Sequence, residues 1–210
     1  DSMKNDTYSR GKKISVRPTL LISLMGIIPD IRKAITTDFK QPGDIIYVVG
    51  ETRAECGGTL LEKISRKKLG MCSHVEPDRA LPLYRALYRA HKEGLIRSCH
   101  DLSDGGLAVS VVESALGGRL GCTLSLNELP GRHLKKEDSI RLLFSETPSR
   151  FLITVKPEDV GSFQHLLSGF SFAALGKVDG SDEIQIKRNG KKILNIRLSE
   201  AMNTWKGKLS

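Results

Sequence analysis

The sequence predicts an α+β fold in which helices pack on a mixed β-sheet, and three observations lead there. Apolar strand-like runs alternate with amphipathic stretches up to about residue 170, the arrangement that lays helices on a sheet. The period then shortens, and 172–178, 183–187 and 193–196 alternate in the two-residue manner of strands. Between the last two lies Asn189-Gly190, a strong hairpin signal. A hairpin appended to interleaved strands and helices argues a mixed sheet rather than a purely parallel one.

Residues 1–17 are polar and basic, contain Gly11, and read as an irregular lead-in. Pro18 introduces Thr19-Leu20-Leu21-Ile22-Ser23-Leu24-Met25-Gly26-Ile27-Ile28, whose aliphatics on both faces predict a central strand covered on two sides. Pro29-Asp30 ends it, Gln41-Pro42-Gly43-Asp44 is a turn, and 45–50 is the next buried strand. A loop with paired glycines follows over 51–58, then a short helix over 59–66. From 79 to 95, Leu81, Tyr84, Tyr88, His91 and Leu95 recur every three or four residues and predict the apolar stripe of a helix. A strand at 96–101 leads into a helix from about Asp104 to Leu116, closed by Gly117-Gly118. Beyond it come a strand at 122–126, a helix at 135–144 and a strand at 150–155. Pro157-Glu158-Asp159 then opens a helix with proline at its start and carboxylates in its first turn. Val160, Phe163, Leu166, Leu167 and Phe170 form its apolar face, and a short helix over 198–205 ends the chain.

The 210 residues suffice for one sizeable domain or two small ones. With 39% hydrophobic and 27% charged residues the usage is that of a globular protein, which argues against disorder. The apolar runs at 20–28 and 45–49 are far shorter than the ~20 residues of a membrane span, so a soluble protein without a membrane partner is expected. No secretory leader is visible, and an opening Asp1 in place of methionine suggests a fragment. The four cysteines, Cys56, Cys72, Cys99 and Cys122, show no metal-ligand or redox spacing, which suits reduced thiols in the cytoplasm. The net charge of +9 raises the question of an anionic partner. Its clusters, at 63–68 and 187–192, read as solvated surface, the second at the tip of the hairpin. Aromatics are 5% of residues and none interleaves with the basic runs, so no stacking platform for nucleic acid exists and no nucleic-acid partner is expected.

The informative stretch is His100-Asp101-Leu102-Ser103-Asp104-Gly105-Gly106-Leu107, where a strand ends and a helix begins. Free backbone N–H groups and the helix dipole make such a start a site for phosphate oxygens. Gly105 and Gly106 remove side chains that would block the approach. Asp101 could hold Mg²⁺ as a hard oxygen ligand, and Ser103 could donate its hydroxyl to a nucleotide. The plainer reading stays open: Ser103 or Asp104 caps the helix, and the glycines permit tight packing.

That stretch, continued by Ala108-Val109, resembles the motif of the last synthetase domain in the phosphoribosylformylglycinamidine synthase family of purine biosynthesis. The likeness extends to Thr36-Thr37-Asp38-Phe39-Lys40-Gln41-Pro42-Gly43-Asp44, Gly50-Glu51-Thr52-Arg53-Ala54-Glu55-Cys56-Gly57-Gly58, and Leu143-Phe144-Ser145-Glu146-Thr147-Pro148-Ser149-Arg150-Phe151. Residues 199–209, with Trp205, are similar to the end of the synthetase part, and Asp1-Ser2-Met3 resembles the tail of a Gly-Lys-Asp-Ser-Met motif. The resemblance implies the fold of the carboxy-terminal domain of aminoimidazole ribonucleotide synthetase, with 1–17 a linker from a missing amino-terminal half and 18–210 the domain. It implies an ATP- and Mg²⁺-dependent ligase that converts formylglycinamide ribonucleotide to the amidine with ammonia from glutamine. Partners would be the remaining synthetase domains, a glutaminase domain or subunit, and the ribonucleotide. By position, Asp101 is the metal ligand, and Ser103, Asp104, Gly105, Gly106 and, more weakly, Ser2 contact nucleotide or substrate; no residue is assigned a catalytic role. The family also carries a second, pseudo-symmetric nucleotide site, to which Asp101 and Ser103 are assigned.

Other residues carry plainer readings. His100 adjoins a carboxylate but, on the opposite face of its strand, reads as a hydrogen-bonded neighbour of the site rather than a general base. Cys99 and Cys122 read as buried small hydrophobes, His91 as a core or rim residue, and Glu146 with Arg150 as a local ion pair as easily as a ligand contact. The alternatives are another ATP-dependent synthetase or kinase of the same superfamily, such as a selenophosphate synthetase, thiamine phosphate kinase or hydrogenase maturation protein, and a basic nucleic-acid-binding module. The runs 100–106 and 143–151 favour the purine enzyme.

Overall fold

The structure is a computed structural model and describes residues 6–15 and 21–207. Its contacts divide the chain into two units, Asp1–Ala34 and Ile35–Ser210. In the first unit the expected lead-in is in part a hairpin, in which β1 (Asp6–Ser9) pairs antiparallel with β2 (Lys12–Ser15). Arg10 and Gly11 at its turn both have positive φ, 51° and 74°, the backbone that matches the twist of two paired strands. Arginine there, in place of the usual Asn or Asp, hides the turn from a sequence reading. The central strand expected at 19–28 does not form. Residues 21–28 have no regular structure, and Leu21, Leu24, Met25 and Ile27 are each 89% or more exposed; Pro18, Thr19 and Leu20 lie outside the described residues. Apolar pattern alone cannot make a strand, because its backbone N–H and C=O groups need a neighbour to pair with. Among the described residues none pairs with this run.

The second unit runs β3 (Ile45–Val49), α1 (Leu60–Ser65), α2 (Pro77–Lys92), β4 (Ser98–Asp101), α3 (Gly106–Gly118) and β5 (Gly121–Ser125). It continues through α4 (Ser139–Phe144), β6 (Phe151–Val155), α5 (Val160–Leu166), β7 (Phe172–Asp179), β8 (Glu183–Arg188), β9 (Lys191–Arg197) and α6 (Leu198–Lys206). Each lies within a few residues of its expected place. The helix expected at 135–144 is split into a single 3-10 turn, Leu134–Lys136, and α4, because the Asp138 side chain accepts the Ile140 N–H and starts a new helix. Seven strands form one sheet in the order β4-β6-β3-β7-β5-β8-β9. β5 and β8 run parallel and all other neighbours antiparallel. The sheet is mixed, as the sequence predicts.

Both faces of the central strands are covered, which is why 45–49 reads as an unbroken apolar run. Ile46 and Val48 face one core with Leu107, Val111 and Ala115 of α3 and Leu142 and Leu143 of α4. Tyr47 and Val49 face the other with Leu83, Leu87 and Ala90 of α2 and Phe163 of α5. In α2 the predicted stripe is mostly the wrong one, although Leu95, just beyond the helix, is buried as predicted. Leu81, Tyr84 and Tyr88 are exposed, and Ala80, Leu83, Ala86, Leu87 and Ala90 are buried. The alanines let the helix backbone come close to the sheet, whereas a buried tyrosine hydroxyl would need a partner. The basic segment 63–68 is exposed, as expected. The second cluster is only partly so: Lys191 and Lys192 are exposed, but Arg188 donates to the carbonyls of Leu134, Lys135 and Glu137 and to Ser139 Oγ, clamping the turn before α4. No helix of the described residues is long and apolar enough to cross a membrane.

Candidate functional site

The strand register gathers the motif-bearing segments at one end of the sheet. Val49 pairs with Phe151 and Phe172, and Phe151 pairs in turn with Asp101. The loop after β3, the turn after β4 and the segment before β6 therefore leave the sheet side by side. These are the three stretches 50–58, 100–107 and 143–151. Leu102 N–H extends the ladder to the Arg150 carbonyl, and Thr147 ties the loops by accepting the Arg53 N–H and donating to the Arg53 carbonyl.

Asp101 ends the edge strand with its carboxylate 65% exposed. Its neighbour His100 is largely buried and bonds Glu113 Oε2 through Nε2 at 2.9 Å, as a hydrogen-bonded residue beside the site. His100 Nδ1 lies 3.4 Å from Asp101 Oδ1, too poorly aligned for a hydrogen bond. Among the described residues no three His, Cys, Asp or Glu side chains converge as a metal cage. One solvated carboxylate nevertheless fits Mg²⁺ in kind, since that ion keeps several waters and takes one or two carboxylates plus phosphate oxygens.

The helix starts at Gly106, two residues later than expected, and neither Ser103 nor Asp104 caps it with a side chain. Gly105 is its N-cap with φ +80°, and its N–H is already taken by Glu146 Oε1 at 2.9 Å. Gly106, at φ +59°, lies so close to the Ser145 carbonyl that a Cβ would collide with it. Both glycines are buried, and this close packing accounts for them. Ser103 and Asp104 are exposed, and their N–H groups donate to no acceptor among the described residues. Those groups, with the Ser103 hydroxyl and Asp101, are what the turn offers a ligand. Ser2 lies outside the described residues.

Behind the turn, Arg150 is 1% exposed and forms no ion pair with Glu146. Its guanidinium donates to Thr147 O at 3.0 Å, Thr52 Oγ1 at 3.2 Å and Ser145 O at 2.6 Å. Burial, helped by the nearby Arg53, pulls its pKa down to about 10. Three neutral oxygens replace a counter-ion, and the side chain stitches the loop after β3 to the segment before β6. The sequence reading misses this use of Glu146 and Arg150. The available signal is the helix start itself: glycines where a capping side chain belongs require an acceptor from elsewhere in the chain.

Residues 41–189 match the family described as AIR synthase related protein, C-terminal domain. The chain belongs to this family. Within it, the chain is 36% identical over 206 residues to the phosphoribosylformylglycinamidine synthase subunit PurL of Alkaliphilus metalliredigens (strain QYMF), a match covering 96% of the chain and 27% of that protein. The chain thus spans about a quarter of the length of this curated relative. The same fold occurs in T. maritima PurL complexed with FGAR, with a TM-score of 0.73 at 16% identity over 81% of this chain and 30% of the other. T. maritima PurL complexed with ATP gives 0.67 at 17% identity, covering 81% and 27%. These likenesses establish the AIR synthase C-terminal fold for the chain.

Proposed function

We propose that the chain is the carboxy-terminal half of an ATP-dependent synthetase unit in a purine-biosynthetic amidotransferase, which converts formylglycinamide ribonucleotide to formylglycinamidine ribonucleotide in the cytoplasm. The observation that carries this reading is the convergence at one sheet end of Asp101, Ser103 and the loops 50–58 and 143–151. The curated relative at 36% identity favours the purine enzyme over other synthetases and kinases of the superfamily. ATP would lie between this domain and the preceding half of its unit, and a glutaminase domain or subunit would supply ammonia.

In this reading Asp101 holds Mg²⁺, which when bound offsets phosphate charge. Ser103 donates its hydroxyl to the nucleotide, and the N–H groups of Ser103 and Asp104 face phosphate oxygens at the start of α3. The buried cation of Arg150 adds positive potential behind them. Such a site works by positioning and electrostatics, with no covalent chemistry from this domain.

The test is Asp101→Ala and Ser103→Ala in the longer protein, reading bound nucleotide and turnover. Both variants should lose Mg²⁺-dependent nucleotide retention. At a structural site Asp101→Ala lowers stability and retention more than turnover per folded molecule, and at a catalytic one the order reverses. Unchanged retention in both variants would sink the reading. The chain alone should show no ATP- and ammonia-dependent turnover, because a site between two domains loses half its contacts when one is absent.

A further inference from the structure

We infer that Glu146 is a positioning residue for the turn that carries Asp101 and Ser103, acting through its carboxylate oxygen as the built-in cap of α3 rather than as a ligand of metal or nucleotide. The inference rests on the site assignment proposed above. One oxygen, Oε1, accepts the N–H of Gly105 at 2.9 Å and the N–H of Leu60 at 2.9 Å. It therefore joins the N-cap of α3 to the first residue of α1. Ordinarily a helix start is capped by its own Ser, Thr, Asp or Asn; here that acceptor arrives from 41 residues further along the chain.

The segment that delivers Glu146 is fixed from several sides. Arg150 holds the carbonyls of Ser145 and Thr147, which flank it. The Glu146 N–H reaches the Glu55 carbonyl at 3.4 Å, and Ser73 Oγ donates to the Glu146 carbonyl at 3.1 Å. Gly106 leaves no room between α3 and the Ser145 carbonyl. Asp101, by contrast, is solvated, and among the described residues its carboxylate receives no hydrogen bond that would orient it. The backbone path from β4 into α3 is then what aims it, and that path is pinned at Leu102 by the Arg150 carbonyl and at Gly105 by Glu146. With the Gly105 N–H engaged internally, a phosphate meets the turn at Ser103 and Asp104.

This role needs an oxygen at a set reach, not a negative charge, and three substitutions in the longer protein separate the two. Glu146→Gln keeps a carbonyl oxygen at the same distance, Glu146→Asp keeps the charge but withdraws it by one methylene, and Glu146→Ala removes both. Bound nucleotide after desalting, its dependence on Mg²⁺ concentration and the melting temperature are measured for each, with Asp101→Ala beside them. The expected order is retention within about twofold of the parent for Gln, and about tenfold weaker binding for Asp and Ala, the scale of a lost helix cap. The Mg²⁺ half-point of the Gln variant should not move. Should Gln lose binding as Ala does, or shift the Mg²⁺ half-point, Glu146 acts as charge or ligand and the inference is overturned. It is equally overturned if both Asp and Ala retain nucleotide as the parent does. Where Ala fails to fold, the contrast of Gln with Asp decides. Unchanged retention in Asp101→Ala instead removes the site assignment, separately from anything Glu146 does.

Discussion

Cys122 is fully buried against α3 and the sheet, and burial pushes its thiol up to about 12, with Asp179 adding to the effect. Cys99 is pushed up to about 11 by burial and by Asp101. In the unfolded chain both ionise near the ordinary value of 9, so above that pH the unfolded state sheds protons the folded state keeps. Their contribution to stability is complete below pH 9 and declines as pH rises toward 12. Melting temperatures between pH 8 and 10.5 should fall more steeply in the parent chain than in a Cys99→Ala, Cys122→Ala double variant, and equal slopes would count against this account. At pH 8 a thiol reagent should label exposed Cys72 well before Cys122. Arg188 offers a second test at this scale. Arg188→Ala removes the one guanidinium that bonds the carbonyls of Leu134, Lys135 and Glu137 and the Ser139 hydroxyl and should cost about 1–3 kcal/mol in chemical denaturation. Lys191→Ser with Lys192→Ser should stay within about 0.5 kcal/mol. Of the candidate site, Asp101 and Ser103 were legible because a strand end and a helix start are visible in the pattern. The partnership of Glu146 with Gly105 was not, because it is a tertiary contact between residues whose types suit many roles.

Most elements could be read because their cues are local: the aliphatic run of β3, the Asn189-Gly190 turn, the proline that opens the turn before α5. The buried face of α2 could not, because two stripes on that helix are apolar and only the sheet beneath selects one. Leu83→Ala should cost about 2–5 kcal/mol, and Ala90→Leu about 1–3 kcal/mol by overpacking. Leu81→Ser and Tyr88→Ser should change the denaturation midpoint little. A larger loss from Tyr88→Ser than from Leu83→Ala would reinstate the aromatic stripe. Pro82 lies inside α2 and the helix continues through it, a case where packing on the sheet outweighs a local breaker.

At the scale of the whole molecule the strongest departure from expectation is the exposed run at 21–28. Its composition is that of a buried strand, and the chain is about a quarter of the length of its curated relative. An exposed apolar segment of this kind drives association. Light scattering of the isolated chain should show self-association that Leu21→Lys, Leu24→Lys and Ile27→Lys together reduce, while the melting temperature stays within a few degrees. In the longer protein the same three changes should lower the melting temperature if a neighbouring domain covers this run, and leave it unchanged if the run stays exposed there. Monodisperse behaviour of the unaltered chain at high concentration would refute the first expectation.

The strand order has a consequence for how the chain leaves the ribosome. β3 lies between β6 and β7, so the first strand of the large sheet to be synthesised has both neighbours encoded about a hundred residues or more downstream. At roughly 5–20 residues per second, the most apolar strand of the domain waits many seconds with both edges bare. Translation therefore cannot build this sheet in the order it is read, and a nascent chain that stalls before residue 151 presents an aggregation-prone strand rather than a partial domain.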